Sequence, residues 1–377
     1  MWENLNNGAC ISLYNLMKEM QEKCNVNVSV LTKGEGTLTQ KCREKGIQVF
    51  ILKHYPCITE KGIIKKLKGY VKLFINHIIH YRRFLRFILD NNIHFDLIHT
   101  NTHASDIGYF ISEHFHIHHV VHLREHGMKD NGLDYTLPDS VMREKFKNTD
   151  AEIAISHSVY NHYVNERKLC PQDRTRIIYN GIRIYDKYEK VYLSGGRVNF
   201  CIAGRIFEGK NQLMAVNACI KLKALKDKFI VHIIGYDTGR YSHELKTLIH
   251  SEDIEECVMF MGFREDIDDV LMNMDVGLML SRCEAFRRVT VEYMMHYMPV
   301  IGVNTGATPE IVLDGETGYI CGLNDTDRLA ELMHKFIMNP GLIREMGTKG
   351  RERAVKNFSL ERNTDEIYKL YQEILSR

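Results

Sequence analysis

The stretch SRCEAFRRVTVEYMMHYMPVIGV, Ser281 to Val303, carries two glutamates, Glu284 and Glu292, on either side of a change in pattern. It starts like a loop, continues like a helix and ends in the strand-like MPVIGV. The apolar run VGLML just before it, Val276–Leu280, reads as another strand. Strand, loop, helix, strand is one unit of a parallel α/β sheet, in which the loop after a strand presents its side chains at the carboxyl edge. Glu284 then belongs at that edge, and Glu292 lies roughly two helical turns further on.

The same rhythm extends both ways. Downstream of residue 196 the expected strands are Val198–Gly204, Phe229–Gly235, Val258–Gly262, Val276–Leu280 and Pro299–Val303. Upstream they are Val26–Thr32, Ile47–Leu52, Phe95–Asn101, His118–Leu123 and Ala151–Ser156. The runs are nearly continuously apolar, as strands covered by helices on both faces must be. Three helical segments follow Asp325. A chain of 377 residues exceeds what one core usually supports, so two domains are expected. The break falls in the charged, tyrosine-rich RIYDKYEKVYLSGGR, giving domains 1–183 and 197–357, a linker 184–196 and a last helix, 358–377, packing back toward the first domain.

The opening NLNNGACISLYNLMKEM is a Gly-bearing loop running straight into a helix, with almost nothing ahead of it to form the strand that should deliver it. Either the reading frame begins upstream or the first domain lacks its first strand.

Composition narrows the function. Hydrophobic residues make up 44% and charged residues 26%, ordinary for a folded protein. A formal net charge of +2 gives no support to nucleic-acid binding. The ten cysteines show no C-x-x-C pair and read as buried small residues in a reducing compartment. No stretch is long and apolar enough for a membrane span, so a cytoplasmic location is expected. CIAGRIFEGKNQ, from Cys201, is a strand end followed by Arg205 and Lys210 before a helix, an arrangement suited to a diphosphate. It is neither a P-loop nor G-x-G-x-x-G, which removes the main support for ATPase and dehydrogenase readings.

Together these motifs resemble those of the family-4 retaining glycosyltransferases with the GT-B fold, two doubly wound Rossmann-like domains facing an inter-domain cleft. EAFRRVTVE resembles their E-x7-E signature EGFGRVTVE, AGRIFEGKNQ their G-R…K loop, and IIYNGI the segment closing the first domain. VMFMGFREDIDDVLMNMDVGLMLS and GATPEIVLDGETGYI fall in the matching order, and HLREHGMKDNGLDY is similar to a loop of polysaccharide-assembly members. The resemblance runs from Asn4 almost to the end of the chain.

It implies a nucleotide-diphosphate sugar as donor, UDP- rather than GDP-linked, and a polysaccharide or lipid-linked glycan as acceptor, with no metal or other cofactor. Arg205 and Lys210 would bind the diphosphate, Glu292 the ribose hydroxyls, and Glu284 would face the donor sugar. The backbone around Ala285 and Phe286 would lie close to that sugar or the phosphates, with Val289 and Thr290 helping at the helix start and the Arg287 side chain reaching donor space. Phe263 and Arg264 would lie where the base is held, and Gly8 and Ala9 would let the first domain's backbone approach the phosphates. His122, Arg124, Glu125 and His126 would face the acceptor.

Arg287 stands where the family has glycine. If the turn needs a positive φ, arginine pays about 1–2 kcal/mol, and its side chain would enter donor space. It would either pair with the diphosphate or obstruct the pocket; impaired turnover is the expectation. The alternatives to a transferase are a non-catalytic GT-B partner subunit, which Arg287 supports, and a sugar-nucleotide epimerase or hydrolase.

Three other signals bear on partners. Residues 61–91 are basic and amphipathic, as in a core helix with a cationic face or one lying on an anionic membrane. His114, His116, His118, His119, His122 and His126 lack the matching set that a zinc site needs. The D-x-D triplet in EDIDD, Glu265–Asp269, starts a helix and reads as capping.

Overall fold

A computed structural model of the chain describes residues 5, 8–185, 190, 196–237 and 239–377. The chain divides into two units, Met1–Gly181 with Leu360–Arg377, and Ile182–Ser359.

The first unit opens with the helix Gly8–Cys24, and its strands are β1 (Ser29–Thr32), β2 (Gln48–Ile51), β3 (Ile58–Glu60), β4 (Leu97–Thr100), β5 (His118–Leu123), β6 (Leu133–Tyr135), β7 (Ala151–Ala154) and β8 (Thr175–Ile177). β4, β5, β7 and β8 make a parallel sheet in that order, β1 and β2 a separate parallel pair, and β3 and β6 a short antiparallel one. Among the described residues no strand leads into Gly8–Cys24 and nothing joins the first two ladders. The gap falls where a doubly wound sheet carries its first strand. The last helix, Leu360–Leu375, belongs to this unit because Ile367, Leu370 and Ile374 form one apolar stripe. That stripe is buried with Leu16 and Met20 of the first helix and Val120 and Ile153 of the sheet.

The second unit contains β9 (Val198–Ala203), β10 (Phe229–Ile234), β11 (Val258–Gly262), β12 (Val276–Met279), β13 (Val300–Val303) and β14 (Gly318–Cys321). They form one parallel sheet ordered β11-β10-β9-β12-β13-β14. Buried residues of the helices Gln212–Lys221, Arg240–Ser251 and Thr326–Met338 share a core with these strands, which explains why the strands read as unbroken apolar runs. Strand order reverses between β9 and β12. Their following loops therefore open side by side at the carboxyl edge, where such sheets bind ligands.

Most of the expected linker, 186–189 and 191–195, lies outside the described residues. Lys190 is buried, its ammonium donating to the carbonyls of Met274 and His296, and burial lowers it to about 8. No described helix is long and apolar enough to cross a membrane. All ten cysteines are free, eight of them buried.

Candidate functional site

The loops after β9 and β12 meet. The Arg282 N–H donates to the Gly209 carbonyl at 2.9 Å, and the Lys210 ammonium is paired with the Glu284 carboxylate. Lys210 ends a 3-10 turn, Glu208–Lys210, and its stem lies along Gly204. The two side chains are 21% and 24% exposed, so the pair is shielded but open to a ligand. Burial acts to raise the Glu284 carboxyl. The charges of Lys210 and Arg287 and the hydrogen bonds from Lys210 and Ser281 outweigh it and hold the group below the usual carboxylate range.

A third loop, after β13, fixes the main chain of Glu284. Gly306 has φ +55°, and a Cβ there would lie 2.2 Å from the Glu284 carbonyl oxygen. No side chain fits that approach. The adjoining Ala307 N–H donates to the same carbonyl at 3.4 Å. Behind the loop the helix Arg288–Met295 is held by Tyr293, whose ring packs on Gly277 and whose hydroxyl accepts from the Ala203 N–H at 2.7 Å.

Arg287 departs from expectation. Its φ is −94°, so arginine carries no left-handed backbone cost here. Its side chain is wholly buried and its Nη2 donates to the Ser281 carbonyl (2.9 Å), the Thr305 carbonyl (3.2 Å) and the Thr305 hydroxyl (2.7 Å). It ties the loop after β12 to the loop after β13. Burial lowers the guanidinium, opposed by the charges of Glu284 and Cys283.

The remaining expected residues divide. Glu292 is partly exposed on its helix beside Arg288, at 3.4 Å. Val289 is half-buried, while Thr290 is wholly buried. Ala285 and Phe286 are buried, with the Phe286 ring on Phe358, so only their backbone could meet a ligand. Arg205 is exposed, its guanidinium 5.4 Å over the Phe207 ring, outside the Lys210–Glu284 pair. Phe263 stacks on Tyr236, centroids 4.4 Å apart and planes 8° from parallel. Arg264 is held by Asp266 in a two-pronged bond. That carboxylate makes no capping bond to the helix Ile267–Met272, a correction to the capping expected of EDIDD, while Asp268 and Asp269 stand in its first turn as helix-start acids.

In the first unit Gly8 and Ala9 begin the first helix, and Asn101 Nδ2 donates to the Ala9 carbonyl at 3.5 Å. The acceptor-side set is more deeply placed than expected. His122 is fully buried, bonded to His99 and Arg124. Arg124 also donates to Asn101 and Asn180, and His126 is buried against Ser158. These three do not present a surface to an acceptor in this arrangement. Glu125 keeps an edge exposed while bonded by Thr102 and His103. Among the described residues no group of three or more His, Cys, Asp or Glu is placed to hold a metal.

Sequence reasoning singled out GATPEIVLDGETGYI, which opens in the loop after β13, but gave it no role at the site, and it missed Tyr236. That tyrosine had a signal: an aromatic follows the strand-ending glycine twice, at Gly235–Tyr236 and Gly262–Phe263. The grip of Thr305 on Arg287 had none, because the two residues meet only through the sheet.

A six-stranded parallel unit with an ion-paired lysine and glutamate at its switch point, and a first unit with a parallel sheet of its own, are consistent with the two Rossmann-like units of the GT-B fold. Residues 6–184 match the model for glycosyltransferase family 4, and residues 186–353 that for glycosyl transferases group 1. The chain belongs to glycosyltransferase family 4.

Its relatives include the N-acetyl-alpha-D-glucosaminyl L-malate synthase of Bacillus anthracis, 26% identical over 65% of each chain. The alpha-1,3/1,6-mannosyltransferase ALG2 of Homo sapiens is 28% identical over 50% of this chain and 49% of that one. These matches thus span two-thirds or less of the curated relatives' own length. Among solved structures, Anabaena Alr3699/HepE in complex with UDP superposes with a TM-score of 0.78 at 19% identity, covering 97% of this chain and 96% of that one. A glycosyltransferase of Rickettsia africae gives 0.79 at 19% identity, covering 98% and 95%.

Proposed function

We propose that the chain transfers a sugar, with retention of anomeric configuration, from a UDP-linked donor to a polysaccharide or lipid-linked acceptor in surface glycan synthesis. The observation that carries this is the Lys210–Glu284 pair at the β9/β12 switch point. A ligand at that edge meets a cation and a carboxylate held by three loops. UDP is favoured because a solved structure of the same fold holds it; the surface-glycan setting follows relatives such as the lipopolysaccharide core mannosyltransferase LpcC of Rhizobium leguminosarum.

Breaking the sugar–phosphate bond builds negative charge on the leaving diphosphate and positive charge on the anomeric carbon. Lys210, joined by the exposed Arg205 of the same loop, stabilises the first, taking the part a divalent metal plays in metal-dependent transferases. Glu284, already held by Lys210, orients the sugar hydroxyls and does not attack. The acceptor hydroxyl attacks from the face the phosphate leaves, and the phosphate oxygen takes its proton. Glu292 receives the ribose hydroxyls, and Phe263 the base. Arg287 acts from beneath the loop, so it does not bar the donor. A peripheral position on the inner face of a membrane accompanies this reading.

The test is transfer of labelled sugar from a panel of UDP- and GDP-sugars into lipid or glycan acceptors. Lys210→Ala should lower turnover roughly 10²–10³-fold. Donor hydrolysis with no glycoside product, or turnover indifferent to Lys210→Ala, would overturn the proposal.

A further inference from the structure

The helix Ile63–Ile75 gives its own unit little of its surface. Only Gly69 and Leu73 are buried, Gly69 so close to Thr136 that a Cβ would lie 2.7 Å from its Cγ2. On the opposite side Ile63, Ile64, Leu67, Val71 and Phe74 are 55–90% exposed. At 3.6 residues per turn these five fall on one continuous apolar band. Lys65, Lys68 and Lys72 run along one flank of that band and Lys66 along the other.

Charge is concentrated here. From Lys61 to Leu89 there are eight Lys and Arg and no Asp or Glu, in a chain of formal net charge +2; the remainder is net negative. The band is also fixed in place. The helix runs into a π-helical stretch, Asn76–His80, where the buried Asn76 side chain accepts from the Tyr55 N–H at 2.9 Å and donates to its carbonyl at 2.8 Å.

We propose that this helix lies in the plane of an anionic lipid bilayer, with Ile63, Ile64, Leu67, Val71 and Phe74 in the acyl boundary and the lysines among the headgroups. A band of large apolar side chains with cations on both flanks matches that interface. A second copy of the chain fits poorly, because a two-fold contact would set lysine flank against lysine flank. The lipid contact is read from this face alone; only its purpose, reaching a lipid-linked acceptor, rests on the function proposed above.

The test is flotation of the full chain with vesicles, phosphatidylcholine alone against phosphatidylcholine with phosphatidylglycerol, at low salt. The wild type should float with the anionic vesicles. Leu67→Glu with Phe74→Glu, and Lys65→Glu with Lys68→Glu and Lys72→Glu, should each weaken binding roughly tenfold or more. Both sets change exposed positions, so unaltered melting curves should accompany the loss. No flotation of the wild type, or flotation untouched by either set, overturns the proposal. So does a dimer that Leu67→Glu with Phe74→Glu dissolves while lipid binding is absent. A chain that floats yet ignores UDP keeps this inference and removes the donor reading instead.

Discussion

Arg287 is tied through one nitrogen to three oxygens, one of its own loop and two of the loop after β13. Sequence alone gave it a backbone penalty and a place in donor space, because a glycine in a family pattern reads as a conformational need. With φ at −94°, the position does not need glycine. Replacing it with glycine removes a buried side chain and its bond to the Thr305 carbonyl, while the Ser281 carbonyl keeps the Thr305 hydroxyl as a donor at 3.0 Å. Arg287→Gly should therefore cost about 2–4 kcal/mol of stability, seen as a melting point several degrees lower. The shift produced by UDP should be no larger than in the wild type. A larger UDP shift in the glycine variant would mean that the arginine obstructs the donor after all.

At the scale of elements, the apolar strands β5, β9, β10, β12 and β13 were legible because burial on both faces leaves an unmistakable run. β3, β6 and β8 are three residues each, too short for any periodicity, and β3 and β6 pair across more than seventy positions. Glu284, Glu292 and Lys210 were legible as site candidates from their place after strands. The inward turn of His122 and His126 was not, because burial follows from what packs above a strand rather than from the strand. β7 hides a further case. Glu152 is fully buried in it, accepting from the Thr149 and Thr175 hydroxyls. Burial raises its carboxyl to about 7, against those hydrogen bonds. The folded state then holds a proton that the unfolded chain releases near pH 4.5. Stability should fall as pH rises from about 4.5 to 7 and stay level above. Glu152→Gln should abolish that fall and gain on the order of 3 kcal/mol at pH 8, measured by urea unfolding across the range. A variant that keeps the same slope would show that Glu152 is ionised in the fold.

For the whole molecule, the account rests on two separately cored parallel units, of which the second carries the paired lysine and glutamate at its switch point. That edge is complete within residues Ile182–Ser359, where β9 to β14 form one six-stranded sheet. What the site takes is open to direct measurement. Calorimetric titration of UDP and of GDP into the full chain and into Lys210→Ala should show saturable binding of at least one nucleotide to the wild type. The variant should bind it roughly tenfold or more weakly, as loss of a charge-assisted contact requires. Affinity unchanged by Lys210→Ala, or no binding of either nucleotide, would contradict the account.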